Sequence, residues 1–428
     1  MSMPKSLIEK MTAYRRDFHM YPETGWTEFR TTAKIAEALY ACGYDVHYSA
    51  EFLKPQYILG RNIDCDAEVS RAISQGASPE IIKKMDGLTG LYAELDTGYD
   101  GPVTALRFDI DCVDVSETTD TSHFPVIEKF ASKNQGRMHS CAHDGHAATG
   151  LVLAECLLEC RDKLCGKIRF IFQPAEEGVR GGYAMTSSGI VDDADNFIAM
   201  HYGLGAPTGF VYGGTKGFLC STKFDVAFKG KSAHAGGEPE KGRNALLAAA
   251  AAALNLHAIP PHSGGATRIN VGVLNAGEGR NVVPQHALMK VETRGATNDT
   301  AAYMYERSQE VLKGAAEMYG VELTATKQGE TITAESSDSL SKLIADAAAA
   351  VEGVKKACPE RTMSGSDDAC WMMKNVQEHG GAASYVTVGA DLKAGHHNDH
   401  FDFDERAMPI ALELLRNVIL KINWIGKR

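Results

Sequence analysis

Apolar positions change their spacing several times along the chain, and each change marks a structural element. Over 6–43 they recur at intervals of three and four, the period of an amphipathic helix, and "ACGYDV" closes that stretch with a glycine turn before a short strand. Residues 52–88 are polar and helical only in patches, and read as an insertion on the surface. Beyond them strands and helices alternate. "GLYAELD" and "PVTALRFDID" are strands, the second running into acids. "GHAATGLVLAECLLECRDKL" is a helix, "GKIRFIFQP" a strand, and "DNFIAMHYG" a strand that ends in His201. Short, nearly continuous apolar strands between helices predict an α/β fold: a mostly parallel mixed sheet with helices on both faces.

The period changes near Ser221. "TKFDVAFKG" alternates with period two, "GRNALLAAAAAALNLHAI" is helical, "ATRINVGVLNAG" and "HALMKVETRGA" are strands, "TAAYMYERSQEVLKGAAEMYG" is a helix and "VELTATKQG" a strand. That order, β-α-β-β-α-β, predicts a ferredoxin-like α+β unit. A helix over 337–352, the strand "ASYVTVGA" and a helix over 404–422 then resume the earlier style. The simplest organisation is one α/β domain, 1–220 with the surface insertion 52–88, continued by 330–428, and a second domain inserted at 221–329. The alanine run 248–253 reads first as strong helix former packed close on a sheet, and second as a small-residue contact between subunits.

A chain of 428 residues exceeds one ordinary core, since domains run to ~100–200 residues. Its apolar fraction of 44% and charged fraction of 23% are those of a soluble globular protein. A formal net charge of −11 argues against nucleic acid as a main partner. Ten cysteines without a repeating framework point to a reducing compartment. No apolar signal region opens the sequence and no run approaches the ~18 apolar residues of a membrane span, so a cytoplasmic protein is expected.

The densest chemistry is "GRMHSCAHDGH", Gly136 to His146, which reads as a metal cradle, a Cys–His nucleophile pair or a polar turn. Its spacing matches neither a zinc ribbon nor a zincin. In open α/β sheets ligands bind beyond the carboxyl ends of the strands. Those ends carry Asp109 and Asp111, Glu176 and Glu177, His201, and His396 and His397, while Cys141 and His143 precede a helix. Each has a dull reading alone: a buried thiol, a helix-start pair, a solvated loop. Their convergence on one sheet edge points to metal. Carboxylate and imidazole suit zinc and manganese, and a thiolate adds affinity for zinc, cobalt or nickel. Of two adjacent glutamates, one can bind metal and the other take a proton from water acidified there. A thiol hydrolase with Cys141 as nucleophile leaves the two glutamates, His201 and His397 without roles.

"MHSCAHDGHAATGL", "IFQPAEEGVRGG", "AMHYG", "KSAHAGGEPEKGRNALLAA", "GRNVVPQHALMKVETRG" and "HHNDHFDFDE" follow one another in an order that resembles the aminoacylase/carboxypeptidase family of dinuclear metallopeptidases, in its amidohydrolase branch. "WTEFRT", the 52–88 insertion and "SGSDDACWMM" resemble more narrowly the p-aminobenzoyl-glutamate hydrolase subgroup. The resemblance implies that Cys141, His143, Glu177, His201 and His397 bind two divalent ions, Mn²⁺ or Zn²⁺. It makes Glu176 the general base and Asp111 the carboxylate that orients a ligand. It casts the inserted domain as a lid and dimerisation domain, with His234 on the oxyanion and Asn281 and Arg294 on the substrate carboxylate. The implied reaction is hydrolysis of an N-acyl amino acid, N-(4-aminobenzoyl)-glutamate first, by a homodimer, with or without a second, related subunit type. The alternative is a broader N-acyl amino-acid deacylase. The alternative of another class is a non-catalytic partner in a hydrolase complex, which would have lost a ligand or the base. One position departs from the family: Ala142 stands where glycine is usual, at a cost of about 1 kcal/mol if the backbone there is left-handed.

Overall fold

The computed structural model describes residues 3–427. The backbone forms two compact units. The first runs to Lys216 and resumes over Ala334–Met363 and from Asp368 onward; the second comprises Gly217–Thr333 and the short segment Ser364–Asp367.

The first unit is built on a sheet that begins with strands β1 (Asp45–Tyr48), β2 (Leu91–Asp96), β3 (Val103–Asp109), β4 (Lys167–Gln173), β5 (Asn196–Tyr202) and β6 (Phe210–Tyr212). The chain then enters the second unit, with β7 (Cys220–Lys229), β8 (Thr267–Ala276), β9 (His286–Gly295) and β10 (Glu322–Thr331). Strands β11 (Lys356–Cys358) and β12 (Ala382–Val388) complete the first sheet. Its order is β1-β2-β4-β3-β5-β12-β6-β11. The central run β4-β3-β5-β12 is parallel, and β2 against β4 and β6 against β12 are antiparallel. After the first residue every position of β3, β4, β5 and β12 is buried, so both faces of the sheet are covered. This explains why the strands read as apolar runs without alternation. Phe108 and Phe172 meet on adjacent strands at 5.8 Å between ring centroids.

The apolar stretch 6–43 is two helices, Lys5–Met20 and Phe29–Ala41, not one. Pro22 interrupts it, because proline offers no N–H to a continuing helix. Glu23, fully buried, then accepts the N–H groups of Arg30 and Thr31 and starts the second helix. The 52–88 segment holds two short helices. Cys65–Ser74 is capped by Asp64, and Pro79–Met85 by Ser78 with proline in its first turn. The segment is stitched to the rest of the first unit by Arg71 to Glu23 at 2.7 Å, Arg137 to Glu68 at 2.5 Å and Gln75 to Asn134 at 2.6 Å. The late helices are shorter than the pattern suggests: Asp338–Ala348 and Ala407–Ile422.

The second unit is a four-stranded antiparallel sheet in the order β10-β7-β9-β8. Helices Ala245–His257 and Asn298–Tyr319 carry its apolar core with Phe224, Val226, Met289 and Leu312. Strand β8 lies at the sheet edge, and its residues alternate between half-buried and exposed. Among the described residues no helix is long and apolar enough to cross a membrane.

Helix Lys5–Met20 is held to the first unit by a buried ion network. Arg15, with no exposed side-chain surface, donates to Asp144 at 3.0 Å, Asp402 at 2.6 Å and Glu405 at 3.0 Å. Removing one member of such a network leaves the others charged and desolvated. Arg15→Ala should therefore destabilise the first unit by roughly 3–5 kcal/mol, read as a lower urea midpoint. A loss below about 1 kcal/mol would mean that water re-enters and solvates Asp144.

Candidate metal centre

The parallel strands end at one edge, and each end is followed by a chemically active segment. Strand β3 leads to Asp111, β4 to Glu176 and Glu177, β5 ends in His201 and Tyr202, and β12 leads on to His396 and His397. Cys141 and His143 stand at the start of helix His143–Leu158.

Asp111, fully buried, organises two of these segments. Its carboxylate accepts the N–H of Glu176 at 3.1 Å and of Glu177 at 2.9 Å. Its backbone carbonyl accepts from Nδ1 of His143 at 2.9 Å. That bond fixes the imidazole with its hydrogen on Nδ1 and turns Nε2 toward the glutamates, 4.0 Å from Glu176. Among the described residues this buried Nε2 has no hydrogen-bond partner, which is the state of a ligand atom. His201 is set the same way: Nδ1 donates to the Tyr202 carbonyl at 2.7 Å and Nε2 faces the Cys141 sulfur at 3.5 Å. His397 places Nε2 3.2 Å from Glu177.

Ligand atoms of Cys141, His143 and His201 lie within 4.8 Å of one another, as do those of Cys141, Glu177 and His397, and those of His143, Glu176 and Glu177. Cys141 joins the first two groups, and His143 and Glu177 link them to the third. The charges fit a cation. Burial alone would lower the His143 pKa, but Asp109 and the bond to Asp111 outweigh it and hold the imidazole well above its usual value. Hydrogen bonding to Cys141 and Glu177 pushes His397 up to about 10. Both shifts mark surroundings that favour a cation, and burial with Glu177 nearby pushes the Cys141 thiol up. Such a thiol is a poor free nucleophile at neutral pH. Sulfur, imidazole and carboxylate together suit a divalent transition metal.

Two histidines that the sequence pattern leaves without roles have local ones. His146 donates from Nδ1 to Asp109 at 2.5 Å and accepts the Tyr202 N–H on Nε2 at 3.1 Å, so both its nitrogens serve the scaffold. Asp109 is therefore engaged with His146 and Arg107. His396 accepts the Leu204 N–H on Nε2 at 3.3 Å, which leaves the hydrogen on Nδ1, 3.5 Å from the Cys141 sulfur. It is a donor to that sulfur, whereas His397 faces Glu177. Glu28 has no local signature as a site residue beyond standing in "WTEFRT". Its carboxylate takes the N–H of Ala175 at 2.7 Å and the Thr89 hydroxyl at 2.6 Å, and burial beside Asp111 pushes its pKa up to about 8. Further back, Asp368 receives Arg107 at 3.1 Å and the N–H of Gly182 at 2.7 Å. A Cβ at position 182 would overlap the Asp368 carbonyl, so only glycine allows this approach.

The backbone of the centre is strained. Ala142, Ala175, Val179, Leu204 and His397 all have positive φ, between 49° and 67°, a region that non-glycine residues seldom occupy. Such strain gathers at functional sites. Ala142, at φ 67° and fully buried, is the departure noted in the sequence.

The remaining residues expected from the sequence, His234, Asn281 and Arg294, belong to the second unit. His234 is exposed, and its Nδ1 accepts the N–H groups of Gly236 and Gly237 at 3.1 and 2.9 Å. The ring hydrogen is therefore on the outward Nε2. The Asn281 carbonyl accepts the Ala235 N–H at 3.0 Å. Arg294, near the end of β9, pairs with Glu292 at 3.0 Å.

The model of peptidase family M20/M25/M40 matches residues 105–421 of the chain. Over 424 residues the chain is 49% identical to indole-3-acetyl-aspartic acid hydrolase of Enterobacter agglomerans, covering 98% of this chain and 97% of that one. Over 423 residues it is 48% identical to one of the subunits of p-aminobenzoyl-glutamate hydrolase of Escherichia coli (strain K12), with the same coverage. The crystal structure of an aminobenzoyl-glutamate utilization protein from Klebsiella pneumoniae superposes with a TM-score of 0.85 at 41% identity, covering 98% of each chain.

Strain at Ala142 is testable. Ala142→Gly removes the Cβ from a left-handed position while adding freedom to the unfolded chain. The net gain should be about 0.5–1 kcal/mol in urea unfolding. An unchanged or lower midpoint would show that packing of the buried methyl outweighs the strain.

Proposed function

The chain belongs to peptidase family M20/M25/M40 and is a metal-dependent amidohydrolase; we propose that its substrates are amides between an aromatic acyl group and an acidic amino acid, N-(4-aminobenzoyl)-glutamate foremost. One observation carries this reading. Two relatives of almost equal identity are named for amides of one architecture, an aryl-bearing acyl group on aspartate in one and on glutamate in the other.

We assign Cys141, His143, Glu177, His201 and His397 to two divalent ions, Mn²⁺ or Zn²⁺. Ions held there supply Lewis acidity, polarising the scissile carbonyl and acidifying water. The chain's own groups do the rest. Glu176, with its N–H fixed by Asp111, takes the proton of the attacking water and returns it to the departing amine. His234 donates its Nε2 hydrogen to the developing oxyanion, a role supported by the two N–H groups that occupy Nδ1. Arg294 and Asn281 hold the amino-acid carboxylate; the planar guanidinium suits it. The second unit acts as lid and dimerisation domain in a homodimer, and a second, related type of subunit is a further partner.

The first test is chemical. Chelation should abolish hydrolysis of N-(4-aminobenzoyl)-glutamate and Mn²⁺ or Zn²⁺ should restore it. Glu176→Gln should keep its metal by elemental analysis and lose ~10²–10⁴-fold in kcat, while Glu177→Gln loses metal. Reversed phenotypes would exchange the two roles, and full turnover by metal-free protein would end the reading. The second test concerns the lid. If His234 serves a neighbouring chain, mixed dimers of Glu176→Ala and His234→Ala should regain part of the activity that each lacks alone. Verified mixed dimers without recovery would show that each lid serves its own chain.

A further inference from the structure

Two half-buried arginines of the first unit reach the backbone beside the metal centre. Arg180 donates from Nε to the Glu177 carbonyl at 3.0 Å and from a terminal nitrogen to the Gly60 carbonyl at 3.3 Å. Buried Trp26 donates to the neighbouring Leu59 carbonyl at 2.8 Å. These bonds tie the turn of Glu176 and Glu177 to the 52–88 segment. Arg361 works on a different ligand. Its guanidinium lies over the Tyr212 ring, 5.1 Å from the centroid, and donates to the Leu204 carbonyl at 2.8 Å. Its own backbone N–H is held by the Gly214 carbonyl at 3.0 Å.

Leu204 stands between Gly203 and Gly205, and all three have positive φ, 76°, 49° and 77° in chain order. The glycines take that conformation freely, whereas a leucine is strained in it. Strain of this kind collects where a group must be aimed. Here the Leu204 N–H is aimed at Nε2 of His396, at 3.3 Å, while Arg361 holds the carbonyl of the same residue. A ring nitrogen that accepts an N–H carries no hydrogen, so the hydrogen of His396 is on Nδ1, 3.5 Å from the Cys141 sulfur. Two further rings flank the imidazole, Phe401 at 5.1 Å and His201 at 5.3 Å between centroids. Neither the proton transfers nor the substrate contacts proposed for the reaction use His396.

We propose that Arg361 and Leu204 hold His396 as a hydrogen donor to the Cys141 sulfur, and that this bond sets which divalent ion the centre prefers. This role rests on Cys141 being a metal ligand, as assigned above, and adds the residue that tunes it. A thiolate is a soft donor and by itself favours zinc over manganese. A hydrogen bond to the sulfur draws electron density away from the metal and makes the sulfur a harder donor, and bonds of this kind tune thiolate-held metals. His396 is therefore a positioning residue that acts through Cys141. With its donor in place Mn²⁺ competes better; without it the preference moves toward Zn²⁺.

The experiment reads the metal, not turnover. Full-length protein loaded with Co²⁺ should show a sulfur-to-cobalt charge-transfer band in the near ultraviolet, absent in Cys141→Ser. In His396→Phe, which keeps a ring and loses the donor, the band should move to longer wavelength, because the sulfur lone pairs rise in energy. In equilibrium competition between Zn²⁺ and Mn²⁺, read by elemental analysis, the same variant should favour Zn²⁺ roughly ten-fold more than wild type does. His396→Asn, whose amide N–H takes the place of Nδ1–H, should keep both readings near wild type. Arg361→Met leaves the imidazole and frees the Leu204 carbonyl. It should change both readings in the same direction and by less, and it decides the matter if circular dichroism shows that His396→Phe does not fold. A wild-type band position or an unchanged metal ratio in the deciding variant overturns the proposal. So does an asparagine variant shifted as far as the phenylalanine one, since the hydrogen then carries no effect. Loss of a bound ion in His396→Phe would make His396 a ligand itself and overturn it equally. If wild type shows no charge-transfer band, Cys141 is not a ligand, and that assignment falls together with the tuning.

Discussion

Asp111 commits three oxygens to the centre, and the rest of the site depends on how they are satisfied. A buried carboxylate must be satisfied by donors from the protein. Here the donors are the N–H groups of Glu176 and Glu177, so solvating the anion fixes the turn that bears both glutamates. The carbonyl of the same residue sets the tautomer of His143. Glu28 extends the device by one residue, holding Ala175 in its left-handed conformation. The sheet brings strand ends to one edge, and these few bonds convert that proximity into an ordered set of atoms.

The charges of the unit are sorted around this arrangement. Arginines that are fully buried, Arg15 and Arg107, neutralise carboxylates behind the site: Asp144 and Asp402 for the first, Asp109 and Asp368 for the second. Beside Cys141 and Glu177 stands His397, whose pKa the hydrogen bonds to those two residues push up to about 10. His201 and His396 go the other way. Burial, with neighbouring imidazoles, lowers the pKa of His201 well below its usual value and that of His396 to about 4. Neutral rings with defined tautomers suit one as a lone-pair donor and the other as a hydrogen donor to sulfur.

Much of this is legible in the sequence because it is local. Apolar strand runs, the change to period two near Ser221, and the clustering of His, Cys and Glu at strand ends are patterns a few residues long. Pro22 signals the split of 6–43 into two helices, but the apolar spacing on either side of it masks the break. What is not legible depends on distant partners. Glu28 acquires its role only because Ala175 folds against it, 147 residues later. His146 and His143 look alike in "HDGH", and a strand-end N–H at Tyr202 separates them. His396 and His397 are adjacent; the Leu204 amide distinguishes them. The 52–88 segment gives no local sign of its ties to Arg180 and Trp26.

The bond from Arg180 to Gly60 also changes how the molecule breathes. A polar surface insertion is ordinarily expected to open by itself, as a low-energy excursion that leaves the remainder intact. Here, detaching Gly60 also frees the guanidinium that clasps the Glu177 carbonyl, and Glu68 and Arg71 bind the insertion's longer helix to Arg137 and Glu23. The 52–88 segment and the glutamate turn are therefore parts of one cooperative foldon. Their amides should exchange with solvent deuterium together and at one free energy, and the flexibility of a surface loop becomes a property of the reaction centre itself.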